Sequence, residues 1–341
     1  MLLPTIARRG NPLTEAEIRA ALDEALSRLL PGCRRVLLLP PDLTRLHSGA
    51  GPITEYVYHQ CAARGIDCDV LPALGTHVPM TRAECAGMFG SIPYDRFLTH
   101  DWRGGVTEIG TVPAAVLSEL SGGLLQEALP VRLDQALLDP SYDLLLSIGQ
   151  VVPHEVVGMA NYTKNIVVGC GGCEFINASH ILGAVYGLER MMGRDHSPVR
   201  QLFDYVQTQL LHRLPLCYVL TVCEGAPCGL FIGTERDAFE QAVALSQARN
   251  ITLLDEPLPR AVVWLDPGEY RSTWLGNKAV DRTRMAIADG GELVILAPGV
   301  ERFGEDPAID ALIRRYGYTG RDRILALRAR HADLRANDSA A

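Results

Sequence analysis

Residues 144–184 read LLLSIGQVVPHEVVGMANYTKNIVVGCGGCEFINASHILGA, and the order of residue types in this stretch decides the fold class. Leu144 to Ile148 is a short, almost wholly apolar run, as expected of a strand buried on both faces. A charge-poor segment follows Pro153, then Gly169-Cys170-Gly171-Gly172-Cys173, and then Ile176, His180, Ile181 and Ala184 at the spacing of one helix face. Strand, glycine-rich loop and helix in that order are the repeating unit of an α/β sheet. His154, Lys164 and His180 are ten and sixteen residues apart (164 − 154 and 180 − 164), too far for one helix face. Only a chain that folds back on itself unites them.

Outward from this stretch the same pattern recurs. Val36-Leu37-Leu38-Leu39 reads as a buried strand ending at Pro40-Pro41, Cys68 to Leu74 as a second running into Gly75-Thr76-His77, and Phe97-Leu98-Thr99 as a third ending at His100-Asp101. Reactive side chains fall just past each carboxyl end, where open α/β sheets place ligands. A seam near Asp255-Glu256-Pro257-Leu258-Pro259 precedes a strand Ala261–Leu265, a helix Trp274–Ala288, a turn at Asp289-Gly290-Gly291 and a strand Glu292–Ala297, one βαβ unit. The expectation is two α/β domains: residues 1–257 with a mostly parallel sheet, and a smaller unit over 258–341, with the active site at their interface.

Composition narrows the partners. A chain of 341 residues, 48% hydrophobic, buries a large core, and a formal charge of −8 lacks the basic footprint that nucleic acid or an anionic membrane requires. A small molecule is the expected partner. The nine cysteines are odd in number and lack the dense, regular spacing of a disulfide scaffold, so free thiols and a cytoplasmic setting are expected. Neither a signal-peptide pattern nor a membrane-length apolar run is found. The polar tail after Arg330 reads as loose.

Each candidate residue carries an ordinary reading beside the functional one. Arg45 offers a planar fork for a carboxylate or phosphate, and Asp42 with Thr44 offers acceptors for a ribose; the same residues also make an Asx turn with a salt-bridged arginine. His77 suits a general base or a loop histidine bonded to a carbonyl, and His100-Asp101 poses the same choice. Thr81 and Glu84 have capping-box spacing. Lys164 among Ile166, Val167 and Val168 is costly to bury unless paired or bound; alternatively it snorkels. Cys170-x-x-Cys173 has no second metal-binding pair at finger spacing, so its glycines, which admit close backbone approach, matter more than its thiols. Lys278, on a helix face with Trp274 and Leu275, either holds a carboxylate or is merely solvated.

Taken in order, Asp42-x-x-Arg45, Leu74-Gly75-Thr76-His77-x-Pro79-Met80-Thr81, His100-Asp101, Pro153-His154, Lys164, His180 and Trp274-x-x-x-Lys278 resemble the nickel-dependent lactate racemase family. The resemblance implies a two-domain α/β isomerase with a nickel-pincer nucleotide (pyridinium-3,5-bisthiocarboxylic acid mononucleotide nickel) at the interface, supplied by cofactor-biosynthesis enzymes. It implies racemisation or epimerisation of a 2-hydroxy acid by reversible hydride transfer through a 2-keto acid. In that scheme His77 and His154 are the acid–base pair and His180 is the nickel ligand. Lys164 contacts or tethers the cofactor, Asp42 and Thr44 hold the nucleotide, and Arg45, Lys278 and Trp274 bind substrate. Met159-Ala160-Asn161-Tyr162-Thr163 replaces the family's usual glycine-rich run and Leu275 its usual glutamine, which points away from lactate itself. The rival readings are a zinc hydrolase built on His77, His154 and His180, and a non-catalytic nickel- or nucleotide-binding protein.

Overall fold

The computed structural model describes residues 5–10 and 12–337; the chain's apolar first four residues lie outside them. Its main sheet uses β1 (Ile6–Arg9), β2 (Arg35–Leu39) and β3 (Asp67–Val70). After an antiparallel pair of β4 (Val106–Val112) and β5 (Leu129–Asp134) comes β6 (Leu144–Gln150). A small ribbon of β7 (Pro153–His154) and β8 (Gly158–Met159) then precedes β9 (Leu216–Glu224) and β10 (Ala226–Gly233). The strand order is β1-β10-β9-β6-β2-β3. Strands β3, β2, β6 and β9 run parallel, while β10 is antiparallel to both neighbours. The protein is mixed α/β with a large, mostly parallel sheet.

Alternation along the strands explains why the central runs are wholly apolar. Successive side chains point to opposite faces, so Val36 and Leu38 enter one core with Leu22 and Leu26 of helix Glu15–Leu29 and Val57 of helix Ala50–Ala62. Leu37 and Leu39 enter the other, with Phe175, Phe203 and Phe239 from three later helices. Each fully buried aliphatic contributes roughly 1.5–3 kcal/mol. Covered on both faces, the sheet offers ligands its strand ends.

Beyond it, β11 (Leu258–Trp264) pairs in parallel with β12 (Ile287–Leu296), followed by helices Pro307–Tyr316 and Arg321–Arg330. Several expected elements change. The helix over 274–288 is instead Thr273–Gly276 and Lys278–Thr283 with a 3-10 turn at Arg284–Ala286, broken where Gly276 and Asn277 have weak helix propensity. Asp289-Gly290-Gly291 is not a turn before a strand but an irregularity within β12, where Gly290 takes a positive φ of 77° and the register slips.

Strand β3 stops at Val70, short of the expected Leu74, because Pro72 has no donor for the ladder. Phe97 makes only a single bridge to Val70 after a 3-10 turn at Tyr94–Arg96, so the expected third strand does not form. The tail after Arg330 is not loose throughout: Ala332–Arg335 is helical and Leu334 is buried with Tyr316 and Ile324. No helix among the described residues is long and apolar enough to cross a membrane.

Candidate active site

The loops at the carboxyl ends of β2, β3 and β6 carry the site. Immediately after Pro41, Asp42 caps the turn Leu43–Ser48; its Oδ1 accepts from the Thr44 amide at 3.2 Å and the Thr44 hydroxyl at 2.5 Å. The ordinary Asx-turn reading is therefore correct, yet the other oxygen, Oδ2, lies 2.5 Å from His77 Nδ1. The sequence did not reveal this partnership. Burial pushes the Asp42 carboxyl up, but hydrogen bonds from His77 and Thr44 with the charges of His77 and Arg45 leave it below its ordinary value. As a carboxylate it can only accept, so His77 Nδ1 carries a proton, and in the neutral ring Nε2 presents a lone pair. The His77 loop is tied down where Gly75, at φ 57°, donates to the Gly169 carbonyl at 2.8 Å; a Cβ there would meet Val168 O at 3.3 Å.

Lys164 lies in the short helix Thr163–Val167. The turn into it is strained: Asn161 and Tyr162 take φ of 70° and 60°, a region unfavourable for a bulky residue. Packing holds it there. Tyr162 stacks on Phe239 and against Tyr218, and the wholly buried Arg200 donates to the Met159 carbonyl at 2.6 Å. Asn165 spans to Leu39 O and Ser147 Oγ, both at 2.9 Å, joining this helix to β2 and β6. Nothing in the sequence marked Arg200 or Asn165 as supports.

Four of the candidates influence His154 directly. Its pKa lies well below the ordinary value, first through burial and then through the nearby charges of Lys164, His180, Arg45 and Lys278. Lys164 is depressed to about 8, by burial and then by Arg45, with Glu155 opposing. His180 is also lowered, again chiefly by burial. Each of the three nonetheless keeps some accessible surface. Glu155 is buried, with its Oε1 3.7 Å from Lys278 Nζ, and this pair links the large sheet's loops to the C-terminal segment.

Trp274 lines a cavity of about 640 Å³ with Ile181, Ala184, Leu188 and Ile313. His100, buried, bridges Asp134 at 2.8 Å and the Gly171 carbonyl at 3.2 Å, which makes it a brace for the glycine loop. All nine cysteines are free thiols.

The profile of the lactate racemase N-terminal domain matches residues 6–191, more than half of the chain. The chain belongs to the lactate racemase family. Among solved structures, 98% of it aligns with 83% of a structural-genomics protein from Thermotoga maritima at TM-score 0.86 and 26% identity. It also aligns over 97% of its length with 75% of the lactate racemase apoprotein from Thermoanaerobacterium thermosaccharolyticum, at TM-score 0.68 and 18% identity, a likeness of fold. No curated protein sequence matches. For this lactate racemase family member the zinc-hydrolase reading fails on geometry: among the described residues no three His, Cys, Asp or Glu side chains gather as a metal-binding group.

Proposed function

We propose that the protein racemises or epimerises a 2-hydroxy carboxylic acid by hydride transfer to a nickel-pincer nucleotide. One observation carries the reading: Arg45, Lys164, Lys278 and His180 all act electrostatically on His154, and Arg45 acts also on Asp42, the hydrogen-bond partner of His77. Family membership supports the reaction class.

The donors present fit the cofactor. His180 Nδ1 donates to the Ile176 carbonyl at 2.6 Å, so its Nε2 lone pair is set as a ligand, with the backbone fixing the ring's tautomer. Imidazole suits Ni(II). Lys164, at about 8, feels the Glu155 carboxylate but makes no ion pair among the described residues, as expected if an anionic or electrophilic group joins it on binding. Bound there, the nickel-pincer nucleotide supplies a ring that accepts hydride from C2 and returns it.

This route avoids the steep barrier to removing an α-proton beside a carboxylate. Arg45 and Lys278 supply positive charge for the substrate carboxylate, Lys278 turning from Glu155 to the ligand. His77, oriented by Asp42, is placed to hold the hydroxyl proton while C2 is planar, and His154 stands near the same charges. Asp42 and Thr44 bond each other, so their proposed part is to set His77 and the first turn after β2.

The test is protein produced with the cofactor's biosynthetic enzymes, assayed for nickel, for a visible chromophore and for interconversion of single-enantiomer 2-hydroxy acids by chiral chromatography. Stoichiometric nickel and loss of optical purity for at least one acid are expected. Nickel-loaded, coloured protein that interconverts none of a broad panel overturns the proposal.

A further inference from the structure

Of the 32 lysine and arginine side chains in this sequence, 30 are arginine; lysine stands at positions 164 and 278 alone. A guanidinium keeps its proton in a protein, whereas an ammonium can lose one, so Lys164 keeps available a neutral form that the chain's arginines lack. The segment that carries it is gripped by helix Pro198–Gln209. Arg200, wholly buried, donates from Nη2 to the Met159 carbonyl at 2.6 Å, and its guanidinium lies 4.5 Å from the ring centroid of Phe239, on which Tyr162 stacks. Seven residues on (207 − 200), and so on the same face of the helix, Gln207 Oε1 accepts from the Thr163 hydroxyl at 2.9 Å and from the Tyr218 hydroxyl at 2.7 Å. Met159 and Thr163 bracket Asn161 and Tyr162, whose φ of 70° and 60° a free chain would relax.

Stability alone would not choose this arrangement. Nε and Nη1 of Arg200 are buried without an acceptor among the described residues, and burial lowers its pKa to about 10; an apolar side chain of similar volume carries no such desolvation cost. What the guanidinium adds is a fixed Met159 carbonyl and a positive charge that acts on Lys164 with those of Arg45 and Lys278, against the opposing Glu155. We propose, resting on the racemase reading, that Arg200 and Gln207 are positioning residues for Lys164. Their helix ties down both ends of the strained turn, so that the amine enters the site in one direction, and Arg200 adds its charge to those that favour the amine over the ammonium.

Acylation by acetic anhydride in the cofactor-free full chain, followed at Lys164 by peptide mass spectrometry across a pH series, tests this without turnover. Arg200→Met should move the midpoint up by at least ~0.5 pH unit, and Arg200→Lys, which keeps a charge and a donor, should bring it back. Arg45, Glu155, Lys278, His154 and His180, the other charged or titratable groups coupled to Lys164, are the same in all three proteins. A part confined to stability would lower the urea midpoint and leave the acylation midpoint where it was. In cofactor-loaded protein Gln207→Leu, which spares the guanidinium, should lower kcat ~10-fold with KM within ~2-fold.

A folded Arg200→Met variant with the wild-type acylation midpoint, or an Arg200→Lys variant no closer to wild type than Arg200→Met, overturns the proposal. If Arg200→Met does not fold, Gln207→Leu decides, and a wild-type kcat there rejects the grip on the turn. Loaded wild-type protein that interconverts no 2-hydroxy acid sinks the racemase reading instead, while the acylation midpoints still report on Arg200. The two failures are therefore distinct.

Discussion

Among the described residues two histidine–aspartate pairs join through Nδ1 at hydrogen-bond distance, and they differ in exposure. His100 and Asp134 meet at 2.8 Å, the ring's second nitrogen is 3.2 Å from the Gly171 carbonyl, and the His100 side chain has no exposed surface. His77 and Asp42 meet at 2.5 Å, but the His77 side chain is 56% exposed. The pairing itself is therefore not the mark of a site. What separates brace from base is whether the second nitrogen is left for a ligand, which depends on the loop that presents the ring.

Substitutions at both pairs would break this contrast if it is wrong. His77→Asn should lower turnover of the loaded protein ~10³-fold while shifting the urea midpoint little. Turnover within tenfold of wild type would reduce His77 to a loop residue. Next in size, His180→Ala should cut nickel retained through gel filtration at least ~10-fold, read by elemental analysis; unchanged stoichiometry removes it as ligand. His100→Leu should do the reverse of His77→Asn, costing about 3 kcal/mol of stability by leaving Asp134 buried without its partner, with turnover per folded molecule nearly intact. A stable but inactive variant would move His100 into the chemistry.

Lys164 provides a smaller and pH-dependent test. Folding lowers its pKa from 10.5 to about 8. Below pH 8 the amine is protonated folded or unfolded, and the folded state bears the full penalty, roughly 3.4 kcal/mol before allowance for the side chain's partial exposure. Between pH 8 and 10.5 the unfolded chain binds the extra proton, so wild-type stability from this group rises with pH. Lys164→Met should accordingly stabilise the cofactor-free protein at pH 7 and show little gain by pH 10.5, read from denaturant midpoints. Equal gains at both values would mean that the ammonium bears no burial penalty.

The parts of the fold legible in the sequence were those where one residue type has one physical consequence. RVLLL at 35–39 and LLLSIGQ at 144–150 became central parallel strands because wholly apolar runs can only be covered on both faces. Thr81 and Glu84 formed their capping box because both partners lie within one turn. The expected strand at Phe97–Thr99 and the single helix over 274–288 failed where a proline-led turn and the Gly276-Asn277 pair mattered more than apolar content.

The sequence by itself determined the layered α/β sheet, and it offered Arg45, His77, His154, Lys164, His180 and Lys278 as candidates in the loops and helices beyond its strands. Tertiary structure alone decided that Asp42 bonds His77, that Glu155 meets Lys278 from 123 residues away (278 − 155), that buried Arg200 props the strained turn before Lys164, and that Trp274 lines a cavity with Ile181 and Ile313. The physical reason is range. Strand burial and caps depend on neighbours a few residues away, whereas hydrogen-bond partners and desolvation are set by chain segments that meet only after the sheet has closed.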